Sequence, residues 1–212
     1  MRSLSSAGLA ATILIGLAVC AAPAAAKSVK VSNKNDSGPN TFRAAVDKAN
    51  ADPAIDRIEF RPGKKLIRLE TPVVYTGAQA LTIDGRGAVI MENGADDLLV
   101  ANGGGDLHLE NIAFVEALQS GVVVNVPGGD TVREQTVSLD NVVLEGNGYY
   151  GLHFDDQSGG DGTGSDSASS LRLIVNNSRV THNNNPAIDP VAADKDGIRV
   201  DEGGEGECDG GR

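Results

Sequence analysis

Two aspartates, a histidine and an arginine occupy matching places in two glycine-led runs, Gly151-Leu-His-Phe-Asp155 and Gly197-Ile-Arg-Val-Asp201. Alternate residues of a strand share a face. If the runs lie side by side as strands, His153 adjoins Arg199 and Asp155 adjoins Asp201 on one face. Two carboxylates about 5 Å apart could share a calcium ion or divide into acid and base roles. That separation is near the gap of retaining glycosidases and short of the gap of inverting ones. His153, Asp155, Arg199 and Asp201 are therefore the candidate catalytic set, with Asp155 and Asp201 as candidate calcium ligands. The same residues also suit a plain solvated face. Like charges on adjacent strands then cost a few tenths to about 1 kcal/mol, which Arg199 would offset.

The elements that would bring these residues together are written in a repeat. Leu107-x-Leu109-x-Asn111-x-x-Phe114, Val137-x-Leu139-x-Asn141-x-x-Leu144 and Leu173-x-Val175-x-Asn177-x-x-Val180 share one pattern. Each is followed by a glycine-led run, the first being Gly121-Val-Val-Val-Asn125. Short period-2 strands joined by polar turns and repeated along the chain are the signature of a coiled β-solenoid, an all-β architecture of stacked parallel strands. Stacking aligns Val122, Leu152 and Ile198 in one inward column and Val124, Phe154 and Val200 in another. Val123, His153 and Arg199 then face outward, beside Asn125, Asp155 and Asp201. Leu109, Leu139 and Val175 form a further buried column, as do Phe114, Leu144 and Val180. Asn111, Asn141 and Asn177 stack at a turn, where asparagine tolerates a left-handed backbone and can bond amide to amide along the axis.

Earlier strands are expected at Val29–Val31, Ile58–Phe60, Leu66–Leu69, Val73–Tyr75 and Leu81–Ile83. Asp84-Gly85 then reads as a turn, with glycine at the repeat's asparagine position. Asn40 or Thr41 can cap a helix whose Phe42, Ala45, Val46 and Ala49 fall on one face. The first coil of a solenoid exposes its interior, so this helix is expected to close that end; packing against the side is the other placement. Ser158 to Ser170 is nearly all Gly, Ser, Asp and Thr, an inserted loop. A second insertion runs from Asn183 to Asp196.

The opening Asn33-Lys-Asn-Asp-Ser-Gly-Pro-Asn-Thr-Phe-Arg-Ala-Ala-Val46, with Ala49-Asn50, Arg57-Ile-Glu-Phe60 and Leu81-Thr-Ile-Asp-Gly85, resembles the N-terminal region of bacterial secreted β-helix repeat proteins. The resemblance covers nearly the whole chain after residue 26. It implies a right-handed parallel β-helix of the pectin-lyase-like class, with about four coils and an N-terminal capping helix. Relatives in that class include pectin-degrading enzymes, adhesins and autotransporter passengers, so the fold alone does not name an activity. Pectate lyases of the class use calcium-binding aspartates and a basic residue that abstracts a proton, an arrangement that Arg199 or His153 beside Asp155 and Asp201 would match. The Gly-His-Gly and Arg-x-Lys motifs of the pectinases are absent from the sequence.

The ends complete the division of the chain. Arg2, the apolar stretch from Leu9 to Ala22 and Ala24-Ala25-Ala26 have the parts of a secretory signal peptide over residues 1–26. The apolar run is too short for a stable membrane span. A lipid anchor at Cys20 is an alternative, although Val19 stands where a small residue belongs. Residues 27–57 form the cap strand and helix, 58–206 the β-helix, and 207–212 an irregular tail that suggests truncation or an end that meets a partner. The resulting location is secreted or cell-surface, periplasmic or extracellular, after cleavage near Ala26. The formal charge of −11 opposes nucleic acid, with no Lys/Arg cluster expected to offset it. Cys208 would be the single cysteine left after cleavage, so no internal disulfide forms. His108 and His182 read as exposed. Tyr149-Tyr150 could stack on a sugar ring or anchor a loop. The acidic Gly-rich stretches after Asp155 and Gly203 fail the calcium-loop spacing.

The function expected from this reading is extracellular binding or scaffolding, with a polysaccharide or cell-surface glycan as partner. The alternative is a polysaccharide lyase or glycoside hydrolase, and a third is a fragment lacking later coils. The last coil presents Ile198 and Val200 inward with no further strand after Gly206, so self-association through that coil is expected. Glu202, Glu205, Glu207 and Asp209 would oppose it.

Overall fold

A computed structural model of the chain describes residues 27–63, 65–125, 134–155, 170–185, 188 and 197–201. The expected signal peptide at 1–26, Cys20, the inserted loop up to Ser169, most of the 183–196 insertion, Cys208 and the tail lie outside the described residues. So do the acidic side chains that follow Asp201.

The structure is mostly β; among the described residues every strand pairs parallel and there is one helix. A nine-stranded sheet holds β1 (Lys27–Val31), β2 (Ile55–Phe60), β3 (Leu66–Leu69), β5 (Leu81–Glu92), β7 (Leu107–Val115), β9 (Glu134–Asp140), β10 (Val143–Glu145), β12 (Ser170–Asn176) and β13 (Arg179–Thr181). A five-stranded sheet runs β4 (Val73–Tyr75), β6 (Leu99–Ala101), β8 (Val122–Asn125), β11 (Leu152–Asp155) and β14 (Ile198–Asp201). One apolar core joins them, with Leu81, Ile83, Leu107, Leu109, Val137 and Leu139 of the first sheet and Leu99, Val122, Val124 and Leu152 of the second at 0% exposure.

The registers follow the repeat. Leu81 pairs with Leu107, Leu107 with Val137, and Val137 with Leu173. In the other sheet Val122, Leu152 and Ile198 align, as do Val124, Phe154 and Val200. The columns differ from expectation at their far ends. Leu109 and Leu139 are fully buried whereas Val175 is 45% exposed, and Val200 is 40% exposed beside Val124 and Phe154 at 0% and 1%. Both exposed valines lie on β12 and β14, which pair along one edge only among the described residues. A core side chain needs a strand on each side to be covered, so the period places it inward without burying it.

Asn111, Asn141 and Asn177 take left-handed φ of 52°, 55° and 49°. The later two divide what β5 and β7 carry as single long strands into the pairs β9/β10 and β12/β13. The expected turn at Asp84-Gly85 is instead continuous strand with a register shift between Asp84 and Ala88. Three residues there face the single Asn111, and Arg86, at φ 49°, takes the left-handed position. Gly85 serves close packing, since a Cβ on it would collide with Ile112. β6, which the repeat pattern did not announce, supplies the five-stranded sheet with its second strand.

Helix α1 (Phe42–Ala51) begins where the Thr41 hydroxyl accepts from Ala44 N at 3.2 Å. Its Phe42, Ala45, Val46 and Ala49 are at most 1% exposed. The helix packs on β4, β1 and β2, the first strands of both sheets. Its polar side chains also satisfy backbone edge groups there. Arg43 donates to the Pro72 and Thr71 carbonyls at 2.7 Å each, and Asn50 donates to Val74 O at 2.9 Å and accepts from Thr76 N at 2.8 Å. A strand edge that is bonded in this way is closed to further pairing. No helix among the described residues is long and apolar enough to cross a membrane.

Candidate functional site

The outer face of the five-stranded sheet is built by alternation. Leu152 and Phe154 point into the core, so His153 and Asp155 of β11 point out. β11 sits between β8 and β14, with His153 in register with Val123 and Arg199, and Asp155 with Asn125 and Asp201. The structure therefore brings the four candidate residues into two adjacent columns at the backbone level. His153 and Asp155 are half-buried and Arg199 is exposed. The Asp201 side chain lies outside the described residues, so the expected carboxylate pair stands as a backbone register.

Neighbouring groups define what this face offers. The His153 ring lies 4.8 Å from that of Tyr150 at 45°, and Tyr150 meets Tyr149 edge-on at 6.3 Å. Asn125 donates to Asn102 at 2.8 Å, extending the Asp155 column across β8 towards β6. Val123, expected outward, is only 7% exposed. Asp97 joins the site although nothing in the repeat marked it. Burial holds its carboxyl above the ordinary range, against the hydrogen bonds from Ser120 and the attraction of His153. Asp97 Oδ1 accepts from Ser120 N at 2.9 Å. It comes from the Ala95-Asp-Asp97 turn before β6, a strand that the pattern missed, so no signal pointed to it.

A second polar array lies on the nine-stranded sheet. Lys30, Glu59, Asp84, Glu110, Asp140 and Asn176 stand in register on successive strands. Arg57 reaches Glu110 at 2.9 Å, Glu59 at 3.3 Å and Asp84 at 3.4 Å, while Arg86 reaches Glu59 at 3.2 Å and Asp84 at 3.3 Å. Burial opposes the Arg57 charge, and the surrounding carboxylates, Glu110 foremost, more than offset it. The array is thus an ion-pair network that ties strands together. The signal for it was in the repeat, since Asp84, Glu110 and Asp140 precede the Gly/Asn position in three repeats. His108, expected exposed, is half-buried in this sheet with Nδ1 at 2.7 Å from the Ser138 hydroxyl. His182 is exposed as expected, 3.6 Å from Glu145.

Among the described residues no group of three or more His, Cys, Asp or Glu converges to hold a metal ion. The expected calcium ligands Asp155 and Asp201 are neighbours in backbone register. Comparison of the chain with protein-family models, curated proteins and solved structures found no match.

Proposed function

We propose that this chain is an exported right-handed parallel β-helix of the pectin-lyase-like class that binds extracellular carbohydrate, its outward β8–β11–β14 face carrying the contact. The observation that carries the reading is the polar strip Asn102–Asn125–Asp155, with Asp201 next in backbone register, beside the Tyr150–His153 ring pair. Parallel strands repeat about every 4.8 Å, close to the length of one sugar ring, so the Asn102 and Asn125 amides and the Asp155 carboxylate along the stack would meet successive hydroxyls of a linear glycan. Aromatic edges at the rim supply apolar contact for the C–H faces of the rings. The leader-like residues 1–26 and the acidic composition support export and solubility. The α1 lid supports the capped-coil architecture.

The backbone register of Asp155 with Asp201, beside that of His153 with Arg199, favours one second reading, a polysaccharide lyase or hydrolase. In it the aspartates would hold calcium, which would acidify the sugar proton beside the carboxyl group, or would share a proton; His153 would take the proton released and Arg199 would offset the negative charge that develops. One experiment separates the two. The protein, with and without calcium, is incubated with acidic and neutral polysaccharides and assayed for new double bonds and reducing ends, alongside a binding measurement. Binding without turnover, weakened in Tyr150→Ala and Asp155→Ala, is the expected result. Turnover lost in both Asp155→Ala and Asp201→Ala would replace the binder with the enzyme. Neither binding nor turnover would remove both.

A further inference from the structure

A cavity of about 390 Å³ opens on the surface between the 34–36 turn and β3, lined by Lys34, Asn35, Asp36, Leu66, Arg68 and Glu70. Alternation along β3 builds its floor. Ile67 and Leu69 are fully buried, so Leu66, Arg68 and Glu70 project outward, and Leu66 is 45% exposed. The facing wall is held by its own hydrogen bonds. Ser32 N and Asn33 N both donate to Asn40 O at 3.0 Å, Asn33 donates to Pro39 O at 3.3 Å, and Asn33 Oδ1 accepts from Asn35 N at 3.1 Å. The Asp36 carboxylate is engaged by Arg43 at 2.6 Å. Among the described residues Lys34 and Arg68 make no ion pair, so two cations face the cavity with their charge available.

The placement of charge along the chain sharpens this. Residues 27–70 carry ten Lys/Arg against six Asp/Glu, a net of +4, whereas residues 71–212 carry seven against 23, a net of −16. The expectation that no basic cluster offsets the acidity therefore fails locally. The first layer of strands and its turns are basic on an otherwise acidic molecule, and the cavity lies in that layer.

We propose that this cavity is a second binding site, and that it takes a sugar residue bearing a negative group within an acidic polysaccharide. Lys34 and Arg68 meet the negative group, Arg68 through its planar fork. Glu70 and Asn35 accept from and donate to ring hydroxyls. The exposed Leu66 side chain lies against the C–H face of the ring. The volume is at the small end of ligand sites, suited to about one or two sugar rings. A bare anion would gain nothing from Glu70 or Leu66. The proposal rests on the carbohydrate reading for its ligand class but uses none of the residues of the β8–β11–β14 face.

The test measures binding of the full chain to polyuronate, dextran sulfate, neutral dextran and phosphatidylglycerol vesicles. The variants are Lys34→Gln/Arg68→Gln, Glu70→Gln and Tyr150→Ala, each checked for unchanged circular dichroism. The expected result is binding to at least one acidic polymer, weakened tenfold or more in Lys34→Gln/Arg68→Gln and by added salt, and also weakened in Glu70→Gln. Unchanged affinity in the double variant overturns the site. Tighter polymer binding in Glu70→Gln, or equal binding of the vesicles, overturns the sugar assignment in favour of a simple anion site. Loss in Tyr150→Ala alone overturns this site while leaving the proposed function standing; loss in the double variant alone supports this site and removes the role of the other face. Binding to neutral dextran only, or to none of the probes, overturns the site.

Discussion

The side-chain amide of Asn141 donates to that of Asn111 at 2.9 Å across one ladder step, and both residues hold left-handed φ. Asn111 donates in turn to Asp84 at 3.2 Å, so the asparagine column ends on a carboxylate. Asn141 thus serves twice, by tolerating the backbone and by bonding along the stack. Asn141→Ala removes both and is expected to cost about 2 kcal/mol. Asn141→Gly restores the backbone freedom and should cost about 1 kcal/mol, the hydrogen bond alone. Urea unfolding of the two variants checks the order. Equal losses would mean that the left-handed conformation contributes nothing.

Asp84 predicts an acid limb in stability. Burial pushes its carboxyl upward, but bonds from Asn111 and from the Arg86 backbone and side chain, with the Arg86 charge, outweigh this and hold it below the ordinary carboxylate value. A folded pKa below the unfolded value of about 3.9 means that the contribution is full above the unfolded pKa and disappears as pH falls through the folded one. Asp84→Asn should therefore be less stable than the parent by a constant margin above about pH 5, with the margin narrowing below about pH 4. Thermal unfolding from pH 7 to pH 2 measures it. A margin that widens on acidification would reverse the assigned sign.

Much of this fold was legible in the chain. The apolar-x-apolar-x-Asn pattern set the register of β7, β9 and β12, and the spacing of Phe42, Ala45, Val46 and Ala49 set the helix face. Period-2 reasoning also put His153 with Arg199 and Asp155 with Asp201. It did not give exposure, because burial depends on whether another strand covers the column, as Val175 and Val123 show in opposite directions. It also missed what arises between turns. Asp97 reaches its place through a turn before an unmarked three-residue strand, and the cavity at Lys34 and Arg68 is closed by segments about thirty residues apart in sequence. Their encounter follows from stacking, whereas no local pattern encodes it.

Position along the same column should decide the cost of truncation. Leu139 is fully buried between β7 and β12, and Val175 is 45% exposed in the next layer. Leu139→Ala is expected to cost about 2–5 kcal/mol, and Leu139→Asp to prevent folding by leaving a charge in a dry core. Val175→Ala should cost less than about 1 kcal/mol, since its methyls already meet water. Denaturant midpoints for the two alanine variants give the comparison. Similar losses would show that Val175 is covered in solution.

Covering of Val175 in solution would most simply come from a second copy. Val175 and Val200 are 45% and 40% exposed on strands that pair along one edge among the described residues, while at the opposite end Arg43 and Asn50 bond the edge carbonyls. Open strand edges with apolar side chains attract further strands, and the closed end gives them nothing to pair with. Association should therefore run through β12 and β14 of two copies and stop at a dimer. Residues 71–212, with a net charge of −16, repel their counterparts, so rising salt should strengthen the dimer by screening. Sedimentation velocity across a salt series is expected to show a growing dimer fraction that Val175→Lys/Val200→Lys suppresses. A strictly monomeric parent at high concentration and high salt would mean that this edge is covered within the chain itself.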